Sequence, residues 1–163
     1  MDIRSVKKLL VVRHAKSSWT NPTETDAERG LNPRGMRDIS VMANKLLRRN
    51  LCPDICLFSS SNRTRLTAIA LLDYLQTDIE KEENSSLYLA NVEQIQKEIS
   101  TAFLQYDFVM LVGHNPGLTD FFNHSTSLEL DNLPTLGMFL VSFEKWPLWH
   151  GKFHFLDYPK KIF

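Results

Sequence analysis

A chain of 163 residues is long enough to bury a continuous core without disulfides or a structural metal, so one domain over residues 1–163 is expected. Lys plus Arg total 19 and Asp plus Glu total 19, so no global field favours nucleic acid or an anionic membrane, and any anion site must be local. The only cysteines, Cys52 and Cys56, are too few for a four-cysteine zinc site or a disulfide framework, which points to a reducing, cytoplasmic setting.

The amino-terminal stretch MDIRSVKKLLVV is basic, but its apolar run before Arg13 is only Leu9 to Val12, well short of a signal-peptide core. No stretch of the sequence is apolar for long enough to span a bilayer. Leu9 to Val12 reads as a buried strand that ends at Arg13-His14. Residues 16–31 lack periodicity and read as a long surface loop, a length more often functional than idle.

Asn32-Pro33 supplies an N-cap followed by proline at the first helical position, and Met36, Ile39, Ala43, Leu46 and Leu47 predict a helix over about 33–49. After Pro53, residues 54–58 read as a second strand that stops at Ser59-Ser60-Ser61. Leu66, Ile69, Ala70, Leu72 and Leu75 predict a largely buried helix from near Asn62, and the polar stretch 76–86 has room for one short strand. Val92, Ile95, Ile99, Ala102 and Phe103 mark an amphipathic helix. Phe108 to Val112 is the clearest buried strand, and it ends at GHNPG, where Asn115-Pro116 resembles a capped start of a short helix carrying Leu118, Phe121 and Phe122. Residues 138–143 and 152–156 read as late strands joined by a turn around Trp146-Pro147.

Strands alternating with helices give an α/β class: a three-layer arrangement with a mostly parallel central sheet flanked by helices. Ligands of such sheets sit beyond the carboxyl ends of the strands. Three of the expected strands end in unusual polar sequence: Arg13-His14, Ser59 to Arg63, and Gly113-His114. Arg13 and Arg63 would bring two permanent, planar donor forks to that edge, matched to a phosphate. Free N–H groups at a helix start near Arg63, and again after His114, favour the same kind of ligand. His14 and His114 can divide the work, since a neutral imidazole is a nucleophile and an N–H-donating one stabilises developing oxyanion charge.

Other readings fit less well. A cysteine phosphatase needs C-x5-R, whereas six residues separate Cys56 from Arg63. His150 and His154 have the spacing of a helical metal pair, but Gly151 and KFHFL argue for a strand, so no metal site is expected there. Trp146, Trp149 and Phe153 read as packing residues, and the N-x-S/T triplets at Asn62, Asn84 and Asn123 as chance matches.

VVRHAKSSW, RGLNPRG, SSSNRTRLTA and LVGHNPGL, in this order, resemble the histidine phosphatase superfamily, the phosphoglycerate-mutase-like enzymes, and within it the SixA-type phosphohistidine phosphatases. The resemblance implies a phosphoglycerate-mutase-like fold, with His14 as a transiently phosphorylated nucleophile and Arg13, Arg63 and His114 around the phosphoryl oxygens. Ser17 and Arg29 are further substrate-binding candidates on the 16–31 loop, and Asp26 and Arg29 are candidates for supporting the site from just behind it. Ala15 and Gly30 stand where many relatives have glycine and proline. No cofactor and no metal are expected, because the arginines can supply the positive charge. The implied partner is a phosphotransfer protein bearing phosphohistidine; the alternatives are a small phosphorylated metabolite and a non-catalytic phosphoprotein-binding module.

Relatives that cleave phosphate esters use an acid to protonate the leaving oxygen, yet Glu80, Glu82, Glu83 and Glu93 form no pattern that supplies one. Imidazole, whose conjugate acid has a pKa of about 6.5, leaves more readily than an alkoxide and tolerates that absence.

Overall fold

The computed structural model describes residues 5–161, so the first four residues of the amino-terminal stretch lie outside it. The elements run β1 (Lys7–Arg13), α1 (Pro33–Arg49), β2 (Ile55–Ser59), α2 (Asn62–Tyr74), β3 (Glu80–Asn84), α3 (Val92–Phe103), β4 (Phe108–Gly113), α4 (Gly117–Ser125), β5 (Met138–Phe143) and β6 (Lys152–Asp157). Short 3-10 turns at Asp26–Glu28 and Ser85–Leu87 interrupt the loops before α1 and α3. None of the described helices is long and apolar enough to cross a membrane.

All six strands form one sheet in the order β3-β2-β4-β1-β5-β6. The first four in that order are mutually parallel, while β5 and β6 are antiparallel to their neighbours. Period-two alternation divides the apolar side chains between two faces. Leu9, Val11, Val109, Leu111, Phe139 and Val141 pack against α3 and α4. Leu10, Val12, Cys56, Met110, Val112 and Met138 pack against α1 and α2. These are the three expected layers, and both faces of β1 and β4 are buried, which explains why their sequences read as continuous apolar runs.

Two helices depart from their expected faces. Met36 and Leu47 are exposed, because the inward stripe of α1 runs through Gly35, Ile39, Met42, Ala43 and Leu46. Leu66 and Ile69 lie on the outer side of α2, whose inner face carries Arg63, Thr64 and Thr67 before Ala68, Leu71 and Leu72. Helix α4 also starts differently: Pro116 is its N-cap and makes no side-chain cap bond. Asn115, one residue earlier, accepts instead from Thr119 N at 3.2 Å and Thr119 Oγ1 at 2.9 Å. His150 is exposed in the turn before β6, and His154 on β6 contacts Ser142 Oγ through Nε2 at 2.7 Å, so the pair shares no helix face. Trp146, Trp149 and Phe153 pack at the margin of the core.

Two glycines allow backbone segments to approach closely at the carboxyl end of the parallel strands. A Cβ on Gly35 would stand 2.4 Å from Lys16 O, and one on Gly117 would stand 1.9 Å from Ala90 O. Helix α4 is thereby seated directly on the segment that precedes α3. Gly117→Ala should lower the urea midpoint with unchanged slope, by a loss of about 1–3 kcal/mol typical of overpacking. An unaltered midpoint would mean that the two segments separate freely.

Candidate active site

The register brings the three polar strand ends together. Arg13 on β1 lies opposite Gly113 on β4, and Phe58 on β2 lies opposite Val112, so Ser59 ends one step beyond in the same row. Just past this edge, a cleft of about 300 Å³ is lined by residues that include Arg13, His14, Arg29, Arg63 and His114. The four residues expected at its centre are thus brought together, and Ser17 and Arg29 also line the cleft.

His14 follows β1 and is 7% exposed. Its backbone N donates to Gly113 O at 3.2 Å, and its carbonyl accepts from Leu136 N at 3.1 Å, so strand and loop hold it on both sides. Nδ1 lies 2.8 Å from Ala15 O. A carbonyl only accepts, so the ring proton sits on Nδ1 and Nε2 keeps its lone pair. Burial, then the charges of Arg63, Arg13 and Arg29, lower its pKa to about 4 against the raising effect of the Ala15 bond.

His114 is 3% exposed and follows β4. Its Nδ1 lies 3.3 Å from Arg63 Nη2, which can only donate, so the ring proton is on Nε2 and goes to Ser59 Oγ at 2.6 Å. Ser59 in turn contacts Thr64 Oγ1 at 2.8 Å and Ser61 Oγ at 3.3 Å. Burial, followed by Arg63 and His14, lowers the His114 pKa to about 3. The two imidazoles stand 5.5 Å apart between ring centroids.

Arg63 comes from the first turn of α2, whose N-cap Ser61 accepts from Thr64 N. Its Nη1 donates to Asp26 O at 2.7 Å and its Nη2 to Asp26 Oδ2 at 3.0 Å. Arg13 donates from Nη1 to Leu133 O at 2.8 Å. The Nε atoms of both arginines are buried without a protein partner, the kind of donor that an anionic oxygen satisfies. Burial and the neighbouring Arg63 pull the Arg13 pKa down from its ordinary value. One hydroxyl ties the two halves together: Thr67 Oγ1 accepts from Ala15 N at 3.0 Å and donates to Arg63 O at 2.7 Å.

On the 16–31 loop, Arg29 donates from Nη1 to Ser17 Oγ at 2.5 Å and from Nη2 to Asp26 Oδ1 at 3.0 Å. Its guanidinium lies 3.5 Å from the ring centroid of Trp19, which is 73% exposed at the rim. Tyr88, which sequence reasoning passed over, donates to Asp26 Oδ2 and sets its ring edge to His114 with centroids 5.4 Å apart. The search of that stretch was for carboxylates, and the only signal for Tyr88 was its position within it. Those carboxylates are elsewhere: Glu80 and Glu83 pair with Tyr106 and Arg65, and Glu93 lies in the first turn of α3.

The Asp26 carboxyl is held well below the usual carboxylate range, first by the Tyr88 hydroxyl and then by Arg29 and Arg63, which together outweigh its desolvation. The Cys56 thiol, buried in β2, is pushed up to about 12 by that burial and cannot serve as a thiolate. Among the described residues, no group of three His, Cys, Asp or Glu could hold a metal ion.

Both histidines of the free protein should therefore remain neutral as the pH falls from 7 to 5. Added tungstate should move both titrations upward, because a nearby anion favours the charged imidazolium. Imidazole NMR shifts followed against pH check this, and titration of both rings near the ordinary pKa of about 6.5 would contradict it.

Comparison with known proteins fits this geometry. No protein-family model matches the sequence, and no curated protein does. A solved structure assigned as the phosphohistidine phosphatase SixA from Agrobacterium tumefaciens is 25% identical, with a TM-score of 0.82 over 93% of this chain and 97% of that one. The protein histidine phosphatase SixA complexed with tungstate superimposes with a TM-score of 0.82 over the same shares, 93% and 97%, at 17% identity. A structure assigned as an alpha-ribazole-5′-P phosphatase from Escherichia coli K-12 reaches 0.70 at 11% identity, covering 94% of this chain and 97% of that one. The last two likenesses concern the fold alone. The chain therefore has the phosphoglycerate-mutase-like fold that these phosphatases share, with SixA-type structures among its near neighbours.

Proposed function

We propose that this chain is a hydrolase that removes the phosphoryl group from a phosphohistidine carried by another protein, with His14 as the nucleophile. The SixA-type neighbours support this class of phosphatase activity. The observation that carries the choice of substrate is the state of Asp26, the only carboxylate among the residues lining the cleft. Its four hydrogen bonds keep it ionised, so it has no proton for an alkoxide leaving group. An imidazole leaving group does not require one.

In the first step His14 Nε2 attacks phosphorus in line. The new P–N bond forms as the bond to the substrate ring nitrogen breaks and the electron pair leaves on that nitrogen; the substrate ring, already protonated on its other nitrogen, departs as neutral imidazole. The proton of His14 stays on Nδ1, donated to Ala15 O, so the ring becomes a phosphoimidazolium. Arg13 and Arg63 face the charge spread over the phosphoryl oxygens, where preorganised donors are most effective. His114, neutral in the free protein, gains proton affinity beside that anion; on taking a proton from solvent at Nδ1 it can donate from there to a phosphoryl oxygen while Nε2 still donates to Ser59. In the second step water adds its oxygen to phosphorus, the P–Nε2 pair returns to His14, and inorganic phosphate departs with the water's protons.

The cleft is open to a side chain presented from outside, which fits a phosphotransfer protein better than a fully enclosed metabolite. The exposed free thiol of Cys52 fits a reducing, cytoplasmic setting.

The test follows phosphate release from a phosphohistidine-bearing phosphotransfer domain and from a generic phosphate monoester, without added metal. The wild type should act on the first in preference, and His14→Ala should lose about a thousandfold or more of that activity. Preferential ester hydrolysis would replace this reading with a metabolite phosphatase, and inactivity on both substrates with a binding module.

A further inference from the structure

The Asp26 carboxylate has about four positions for accepting hydrogen bonds, and all four are occupied. Oδ1 accepts from Arg29 Nε at 3.3 Å and Nη2 at 3.0 Å, while Oδ2 accepts from Arg63 Nη2 at 3.0 Å and from the Tyr88 hydroxyl. Its backbone carbonyl takes a further bond from Arg63 Nη1 at 2.7 Å. The donors come from three separate segments: the 16–31 loop itself, the first turn of α2, and the turn before α3. With these donors in place the carboxylate is held ionised although its side chain is 43% exposed, so its contacts suit neither a general acid nor a site for a substrate N–H.

What it can do is fix a guanidinium. Arg63 is 2% exposed, and both of its terminal nitrogens are engaged by this one residue. Asp26 is held in turn by a local turn in which Glu28 N donates to Thr25 O at 3.1 Å and Thr25 N donates to Glu28 Oε2 at 3.0 Å. The geometry points to Asp26 as a positioning residue that acts through Arg63: it locks the fork in the orientation that receives the phosphoryl group. Tyr88 is its brace, and the 16–31 loop is a fixed wall of the site clamped at Asp26. The inference rests on reading the cleft as a phosphoryl site. It adds that Arg63 arrives there already oriented, so the ordering cost is met on folding and not on binding.

The experiment measures tungstate affinity by calorimetry, together with kcat and KM on the phosphohistidine substrate, for the full chain and for Asp26→Asn, Tyr88→Phe, Arg63→Lys and the double variant Asp26→Asn/Arg63→Lys. Asp26→Asn should weaken tungstate binding about tenfold or more, the usual size for hydrogen bonds to a charged group. Lysine is a point charge with no fork to orient, so the double variant should bind no more weakly than Arg63→Lys alone, within about twofold. Tyr88→Phe, which keeps the carboxylate, should weaken binding several-fold with an unchanged melting temperature, and it carries the test if Asp26→Asn does not fold.

A purely structural Asp26 would instead give losses that multiply in the double variant, and that result overturns the assignment. So does wild-type affinity in Asp26→Asn or in Tyr88→Phe. Tungstate reads the site without turnover, so a wild type that binds it yet spares phosphohistidine counts against the proposed substrate alone. A wild type that ignores tungstate removes both the phosphoryl site and the role given to Asp26.

Discussion

Three guanidinium groups share one small cleft, and the rest of the site is organised around their mutual repulsion. Arg13, Arg29 and Arg63 all line it, with Lys16 beside them, in a chain whose formal charges sum to zero. Such a concentration survives folding only where each fork has a partner of opposite or partial negative charge. Arg13 finds the Leu133 carbonyl, while Arg29 and Arg63 divide the two oxygens of Asp26 between them. The field that remains is positive and directed into the cleft, and it keeps both histidines neutral, as burial already does. One electrostatic arrangement therefore favours an anion in the cleft and leaves His14 a neutral imidazole with a free lone pair.

The scaffold makes this arrangement rigid. Parallel neighbours β2, β4 and β1 all end at the same edge, so three short polar sequences far apart in the chain meet without any long loop having to find its place. Single hydroxyls then lock the pieces at short range, as Thr67 does between the residue after His14 and the backbone of Arg63. The chemistry assigned to the site needs little movement of protein groups, as expected where catalysis is mainly positioning and electrostatics.

The parts of this picture legible in the sequence are those written in one residue type at a time. β1 and β4 were readable because strands buried on both faces leave uninterrupted apolar runs, and the polar residues that end such runs stand out. Arg13, His14, Arg63 and His114 could be singled out for that reason, and the structure collects them in one cleft. Helix α2 misled because its inward face in the first turns is polar. Thr64 and Thr67 are buried to hold the site, so the apolar residues counted there include Leu66 and Ile69 on the outer side. Tyr88 is least visible, since its meaning lies in a contact across 62 positions of chain, and Asp26, a candidate on the loop, takes a definite role only through that contact and its two arginines.

At the far end of the sheet, β3 pairs among the described residues with β2 on one side only and carries Glu80, Lys81, Glu82 and Glu83 exposed along its length. An unpaired strand edge is a template on which another chain can add a strand, and interrupting it with charge on both faces is a common defence against aggregation. A second strand approaching this edge would have to strip water from carboxylates on either side of the ladder. The sheet that delivers His14 and His114 thus meets solvent at β3 with a charged border, and the solvation of those charges opposes the addition of a further strand there.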